Sequence, residues 1–468
     1  MTNVPDARKL IPALKTKYEA VVVACNRCGF CTSFCPTYNY SGSESHSPRG
    51  RNQIFRSILN GKLKDPIGAK DIIDTCLMCG ECTTVCFAEI PTAQLMIYAR
   101  ELLNRSQGMS FWLRLFVDVL LPHPKLLYWA LKFSILGKKL GISWLLRKTG
   151  ILKRVAPGLD AADIVLKKTS LRFLPDLKES KRHLEKVFVK KDSEFFDAQQ
   201  KVARLAQQGK GIPDGLKKLA AKRPERPKVA LLPVCGSQYL RSSIAAASIK
   251  ILEKLKIDFI IPETTCCGLP AASYGVVDQV KRIALKNIRR LEHGHFEAIL
   301  TDDSSCTAHF KDYPEFFQDE PIIFEKAHTM SQKVREFSSF LIQFGILDLL
   351  KKTKWSGEPV AYHDPCKAQY GQKITQPPRQ ILSAIPGLKL VPVAEADQCC
   401  GGGGTYCFIH PELSQGVLSA KIKNIAASGC QVVVTSAASC LSQIEFGLRE
   451  KHLPIKAMHF SEFIAKLL

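Results

Sequence analysis

Several signatures are missing from this chain. Its opening, MTNVPDARKLIPALKTKY, has no apolar core of the kind that marks a secretory leader. In the most hydrophobic stretch, 111–148, a charge or a proline intervenes every few residues. No run therefore approaches the roughly 18 apolar residues that a spanning helix needs. No G-x-G-x-x-G occurs, and no Walker lysine follows the glycine run Gly401–Gly404. A nicotinamide, flavin or nucleoside triphosphate fingerprint is thus absent. Acid is scarce as well: 43 Asp and Glu stand against 66 Lys and Arg, for a formal net charge of +23.

Cysteine, by contrast, is abundant, with 18 in 468 residues. Without export the chain is expected in the reducing cytoplasm, where disulfides are disfavoured. Grouped cysteines there read as metal ligands or redox centres. The basic excess is concentrated too. Between Phe111 and Ala156 lie Arg114, Lys125, Lys132, Lys138, Lys139, Arg147, Lys148, Lys153 and Arg154 against one acid, Asp118. The same stretch holds three of the four tryptophans, Trp112, Trp129 and Trp144. Nucleic acid, an anionic membrane surface or an acidic protein could each balance such charge. Its placement on a Trp-rich apolar segment disfavours nucleic acid. Two readings stay open: amphipathic helices lying in a membrane surface, and helices packed on the protein with their lysines in water.

Composition divides the chain into four regions: 1–108 with eight cysteines, a cysteine-free basic helical linker over 109–226 ending in AAKRPERPK, and two cysteine-containing regions, 227–352 and 353–468. The last two are an internal repeat. KVALLPVCGSQY at Cys235 matches EPVAYHDPCKAQYG at Cys366. TTCCGLPA at Cys266 and Cys267 matches DQCCGGGG at Cys399 and Cys400. FEAILTDDSSCTAHF at Cys306 matches CQVVVTSAASCLSQI at Cys440. Short apolar runs alternate with amphipathic helical patterns in each copy. That predicts α/β units with a parallel sheet, their cysteines just past strand ends. The fold class expected is therefore multidomain α+β: a helix-rich ferredoxin-like domain, a helical linker and two repeated α/β domains.

The strongest motif is a pair of C-x2-C-x2-C-x3-C runs, Cys25, Cys28, Cys31, Cys35 and Cys76, Cys79, Cys82, Cys86. In two-cluster ferredoxins the fourth cysteine of such a run ligates the other cluster. The expected ligand sets are Cys25, Cys28, Cys31 and Cys86 for one [4Fe–4S] cluster, and Cys76, Cys79, Cys82 and Cys35 for the second. Gly29 and Gly80 hold matching places where backbone must pass close to sulfur. Pro36 follows Cys35 as the pattern expects, whereas Phe87 follows Cys86. Zinc ribbons also use C-x2-C pairs, but not two crossing quartets at this spacing. The forty or so residues between the runs predict a helix-rich insertion.

Each repeat offers a further quartet: Cys235, Cys266, Cys267, Cys306 and Cys366, Cys399, Cys400, Cys440. Four thiolates converging at strand ends suit another cluster in each repeat, with the glycine run allowing close backbone approach. This pattern resembles the cysteine-rich CCG domains of heterodisulfide reductase subunits and of iron–sulfur subunits of glycolate oxidase, lactate-utilisation and anaerobic glycerol-3-phosphate dehydrogenase complexes. The whole arrangement is most similar to the glycolate oxidase iron–sulfur subunit family, through CGFCTSFCPTY, PRGR, CLMCGECTTVC, HDPCKAQYG and CCGGGGTYCFIHPEL. The fullest CCG pattern ends in C-x2-C and supplies five thiolates to a noncubane cluster. Here Asp303 and Ala437 replace the penultimate cysteine, leaving four thiolates per site and Asp303 as a candidate oxygen ligand.

Cys407 is a candidate neighbour of the second site, and Cys430 reads as a small buried hydrophobe. His309, His363 and His410 lie near cluster motifs, where histidines more often donate hydrogen bonds than bind metal. The resemblance implies an electron-transfer subunit of a flavin-linked 2-hydroxy-acid (glycolate or lactate) oxidoreductase, with no catalytic residue of its own. It further implies a flavoprotein dehydrogenase partner, an electron-transferring flavoprotein or quinone as further carriers, and a cytoplasmic place, peripheral on the inner membrane face if the basic segment binds lipid. The competing reading is a heterodisulfide-reductase-like thiol–disulfide reductase; loss of the fifth thiolate argues against it.

Overall fold

The computed structural model describes residues 7–63, 67–150, 152, 154, 157–166, 171–176, 205, 211, 213–221, 229–292, 294 and 296–468. Lys153, the KRPERPK end of the linker and the 226/227 boundary lie outside the described residues.

The N-terminal part is built on four main helices, α1 (Ala7–Val23), α2 (Pro48–Leu59), α3 (Ile67–Asp74) and α4 (Thr92–Gln107). Their starts follow local rules. Ser47 caps α2 by accepting from the Gly50 amide, and Pro48 takes the first helical position, where its missing N–H costs nothing. The expected helical insertion between the cysteine runs is α2 and α3. Each run turns through a left-handed glycine, Gly29 at φ 83° and Gly80 at φ 92°, and then enters a single helical turn. An added Cβ at Gly29 would fall 2.3 Å from Arg49 Nη1, so conformation and space both demand glycine there.

The described part of the linker contains α5 (Pro124–Lys139), α6 (Ile142–Lys148) and α7 (Pro157–Val165). Lys132 pairs with Asp176 and Lys138 with Asp163, each at 3.0 Å, and Arg147 with Asp160 at 3.0 Å. Helix α5 is apolar on two sides. Leu127 and Ile135 are buried against Phe173 and Tyr239, while Leu126, Trp129, Phe133, Leu136 and Leu140 are exposed. Their spacing of three and four residues puts the exposed group on one outward stripe. One face of the segment is thus packed on the protein, and the other is left exposed. Among the described residues no helix is long and apolar enough to cross a membrane.

The two repeats fold as two four-stranded parallel sheets. The first comprises β1 (Val229–Leu232), β2 (Phe259–Ile260), β3 (Ala298–Thr301) and β4 (Val334–Arg335), in spatial order β2-β1-β3-β4. The second comprises β5 (Val360–Tyr362), β6 (Leu390–Val391), β7 (Val432–Thr435) and β8 (Lys456–His459), in the same order, β6-β5-β7-β8. Val229 pairs with Ala298 and, in the matching place, Val360 with Val432. β1, β3, β5 and β7 are buried along their whole length, as strands covered on both faces must be. The covering helices include α8 (Ser242–Lys254), α9 (Val277–Glu292), α10 (Ser304–Lys311), α11 (Cys366–Gln372), α12 (Pro411–Ala427), α13 (Ala438–Glu450) and α14 (Phe460–Leu467).

The hydrophobic cores do not follow the four regions one to one. Leu14, Phe55, Ile73 and Leu95 of the N-terminal helices share one apolar cluster with Ala271, Val280, Ile283 and Phe310 of the first repeat. Leu231 and Leu300 share another with Val360, Val434 and Phe463 of the second. Each such fully buried aliphatic or aromatic side chain contributes about 1.5–3 kcal/mol. Polar bonds reinforce the joints. Arg100, buried in α4, donates to the carbonyls of Ile73, Asp74 and Cys76 and to Ser273 of the first repeat. Ser248 and Ser461 hydroxyls meet at 2.9 Å between α8 and α14. These bonds fix the cysteine groups relative to one another.

Candidate metal centres

In both sheets the strand order reverses beside the first strand, and open α/β sheets place their ligands at that point, beyond the strands' carboxyl ends. The cysteines occupy that place. Cys235 lies three residues past β1, Cys306 five past β3, and Cys266 and Cys267 follow β2; Cys366, Cys440, Cys399 and Cys400 repeat the arrangement after β5, β7 and β6. Within the first repeat the thiols stand in succession, Cys235 beside Cys266, Cys266 beside Cys267, and Cys267 Sγ 3.2 Å from Cys306 Sγ. In the second, Cys366 is beside Cys399, Cys399 beside Cys400, and Cys400 beside Cys440. Contact with neighbouring thiols together with burial holds all eight thiols above their ordinary range. Packed sulfurs of this kind ionise when a metal supplies the compensating charge.

The crossing of the ferredoxin-like runs is also visible. The thiols acting on Cys31 are Cys25, Cys86 and Cys28, and with burial they push it up to about 11. Those acting on Cys82 are Cys76, Cys35 and Cys31. Cys86 thus sits with the first run and Cys35 with the second. The donors fit iron–sulfur chemistry: two all-sulfur groups, each with a left-handed glycine turn after its second cysteine.

The groups adjoin one another in a definite order. Cys28 is exposed, and two residues on Phe30 lies 5.6 Å from Phe34 and 5.0 Å from Phe87, ring to ring. Phe87, in the place where the first run has a proline, is 85% exposed. Cys31 then touches the field of Cys82. On the far side Cys366 and Cys399 of the second repeat face Cys79. Finally Asp303 lies between the two repeats, acting on Cys235, Cys306 and Cys440. Beyond Cys235 come Tyr239 and Phe173, which meet edge to face, and Phe173 meets Tyr128 of α5 in the same way.

Asp303 does not offer a free oxygen. Its Oδ1 accepts from the amides of Ser305 (2.8 Å) and Cys306 (3.3 Å), and its Oδ2 from the amide of Ala438 (2.7 Å). One carboxylate therefore caps α10 and α13, the helices that carry Cys306 and Cys440. Ala437, its counterpart in the second repeat, has no side-chain acceptor, and Asp303 serves both helices. Ser304 and Ser436 meet beside it, amide to carbonyl at 3.0 Å and hydroxyl to hydroxyl at 2.6 Å.

Other residues were less legible. Arg51, of the PRGR stretch, is 1% exposed. Its Nη1 lies 3.8 Å from Cys35 Sγ, while Nη2 donates to Thr37 (3.0 Å) and Thr75 (2.8 Å). No carboxylate pairs with it among the described residues, so the thiolates are its nearest counter-charge. Lys421, fully buried in α12, bonds the Glu395 carbonyl and feels Cys400 and Cys399. Its spacing from Val417, Leu418 and Ile425 puts it on the buried stripe of the helix, but the sequence does not show what its ammonium meets there. Cys407 bonds the Gly404 carbonyl at 3.5 Å, and Cys430 is packed among Ile425, Val433 and Ile444, the small hydrophobe expected.

The architecture and thiol groups define a class: a multidomain iron–sulfur protein joining a dicluster domain to two cysteine-rich repeats. Residues 22–90 match the 4Fe-4S dicluster domain, 229–311 and 360–445 the cysteine-rich domain, and 110–166 the linker region of the glycolate oxidase iron-sulfur subunit. The probable glycolate oxidase iron-sulfur subunit of Bacillus subtilis is 27% identical over 99% of this chain and 98% of its own. The lactate utilization protein A of an Exiguobacterium species is 33% identical over 51% of this chain and 97% of its own. The glycolate oxidase iron-sulfur subunit of Escherichia coli is 25% identical over 91% of this chain and 90% of its own. The chain belongs to the glycolate oxidase and lactate utilization family of iron–sulfur subunits.

Proposed function

We propose that this chain is the electron-transfer subunit of a flavin-linked oxidoreductase acting on a 2-hydroxy acid such as glycolate or lactate. The observation that carries the reading is the unbroken adjacency of four thiol groups, from exposed Cys28 to Cys235 beneath α5. Cys25, Cys28, Cys31 and Cys86 would hold one [4Fe–4S] cluster and Cys76, Cys79, Cys82 and Cys35 a second. Cys366, Cys399, Cys400 and Cys440, and Cys235, Cys266, Cys267 and Cys306, would hold one further cluster each. Bound there, such clusters supply reversible one-electron chemistry. The chain's own contribution is to keep water from the sulfurs, fix their spacing and set the local charge. Substrate oxidation belongs to a flavoprotein partner, and quinone or an electron-transferring flavoprotein completes the route.

The same reading places the four domains at 1–108, 109–226, 227–352 and 353–468. The outward stripe of α5, with Lys148 over the Trp144 ring at 5.1 Å on α6, would rest on an anionic membrane from the cytoplasmic side. Flotation with anionic vesicles tests this, and absence of binding both alone and with the flavoprotein would refute it. The thiol–disulfide alternative loses support from Asp303, whose oxygens are engaged by amides, and from Ala437, which has no ligating atom. Iron and acid-labile sulfide on anaerobically purified protein test the main reading. About sixteen irons per chain are expected, four clusters of four; about eight would leave the repeats as free thiols and overturn it.

A further inference from the structure

The two repeats are not equivalent at their first strand. His363 stands three residues before Cys366, where the first repeat has Leu232 before Cys235. It is 1% exposed. A ring nitrogen lies within 4.8 Å of the sulfurs of both Cys400 and Cys440. Neither ring nitrogen has a hydrogen-bond partner at ordinary distance. A buried polar group left so costs about 1–3 kcal/mol, which a core position can avoid with leucine, as the first repeat does.

The ring is also held for a purpose. Its backbone amide bonds the Val434 carbonyl at 2.9 Å, continuing the β5–β7 pairing. The next residue, Asp364, is clamped by both terminal nitrogens of Arg379 at 2.6 Å. The Ala396 carbonyl, which accepts from the Asp364 amide at 3.3 Å, faces the imidazole. A histidine that ligates metal commonly turns its second nitrogen toward a backbone carbonyl in this way, which fixes tautomer and orientation.

We propose that His363 supplies a direct nitrogen ligand to the metal centre of the second repeat, beside Cys400 and Cys440 and in place of one of the four thiolates, giving that repeat a mixed nitrogen–sulfur centre. This rests on the reading that the second repeat binds iron. A neutral imidazole in place of a thiolate raises a cluster's reduction potential. The second repeat, with Lys421 beside it, is then the more easily reduced of the two, and the first, with Asp302 bonded to Ser237 just past Cys235, the less.

The test is pulsed EPR of the partially reduced full-length protein carrying 15N-imidazole histidine. A strongly coupled 15N is expected in the signal that Cys400→Ser alters. It should vanish in His363→Ala and persist in His309→Ala, whose ring lies beside the first repeat's Gly268. The unsubstituted labelled protein answers even if a variant fails to fold. An iron-loaded second repeat with only weak nitrogen coupling would overturn the proposal and leave the electron-transfer reading standing. An iron content unchanged by Cys399→Ser and Cys400→Ser together would overturn iron binding in that repeat, and the proposal with it.

Discussion

Arg51 is the most direct probe of how the protein tunes a centre. Its guanidinium is buried, lacks a carboxylate partner among the described residues, and has Nη1 3.8 Å from Cys35 Sγ. Reduction adds a negative charge that the guanidinium attracts. At a separation on the order of 7 Å and an effective dielectric constant of about 20, the attraction is roughly 2 kcal/mol. For one electron that is on the order of 100 mV, since tenfold in the equilibrium corresponds to about 59 mV. Arg51→Met should therefore lower the potential of the Cys35, Cys76, Cys79, Cys82 centre by about that amount, or half of it where water screens. Arg51→Lys keeps the charge and should lose far less. The variant also removes the donor to the Thr37 and Thr75 hydroxyls, which keep their bonds to the His46 and Ile72 carbonyls, so iron content must be measured alongside. EPR-monitored redox titration is the assay. A full iron complement with both ferredoxin-type potentials unchanged would refute the reasoning.

Three further outcomes are expected. Asp303→Ala removes a cap from α10 and α13 together and should lower the denaturation free energy by about 2–3 kcal/mol, with Asp303→Asn closer to the native protein; equal denaturant midpoints would count against the shared cap. Asp302, fully buried and accepting from Ser237 at 2.7 Å, is pushed up to about 7 by burial. Its folded value exceeds the unfolded one of about 3.9, so the stability it contributes is complete below pH ~4 and is lost as pH rises through ~7. Asp302→Asn should then melt at a higher temperature than the native protein at pH 8, with the difference shrinking toward pH 5, up to a ceiling on the order of 4 kcal/mol. Lys421→Met should lower the potential of the second repeat's centre while sparing the first, as read by the same titration; equal shifts in both would place the lysine's influence elsewhere.

The legibility of the chain follows the range of the interactions involved. Cysteine spacing is a local property, and a loop of two residues between thiols leaves few geometries. The crossed ligand sets proposed for Cys35 and Cys86 are therefore legible without the fold. The repeat was readable because two copies of β-strand, cysteine pair and β-strand preserve their register, down to the ungapped match from Glu297 to Cys306 with Gln431 to Cys440. Whatever joins the copies was not. Asp303 reads as a failed thiolate when its own repeat is considered alone. Its work as a shared cap becomes evident only when Ala438, 135 residues on, brings its amide to 2.7 Å. Arg51 and Lys421 were hidden for the same reason, since burial of a charge is decided by what packs on it from distant segments.

That difference bears on how one ancestral-looking unit yields two unlike sites. The thiol quartets are matched position for position, and the sheets have the same strand order. The groups that set charge around them are not matched. Asp302 sits at the first quartet where the second repeat has Ser436, and Asp303 lies between the two, while His363 and Lys421 sit at the second, with Leu232 in the first repeat where His363 stands. Acid beside one set of sulfurs disfavours added electrons, and a buried cation beside the other favours them. Repetition of the ligands keeps the chemistry the same in kind. Divergence of the surrounding charges gives the pair a direction, which runs from the centre nearest α5 toward the one facing Cys79 as the downhill sense for an electron. Entry at the end nearest α5 and exit at Cys28 would use that slope; traffic the other way must be driven across it by the potentials of the partners.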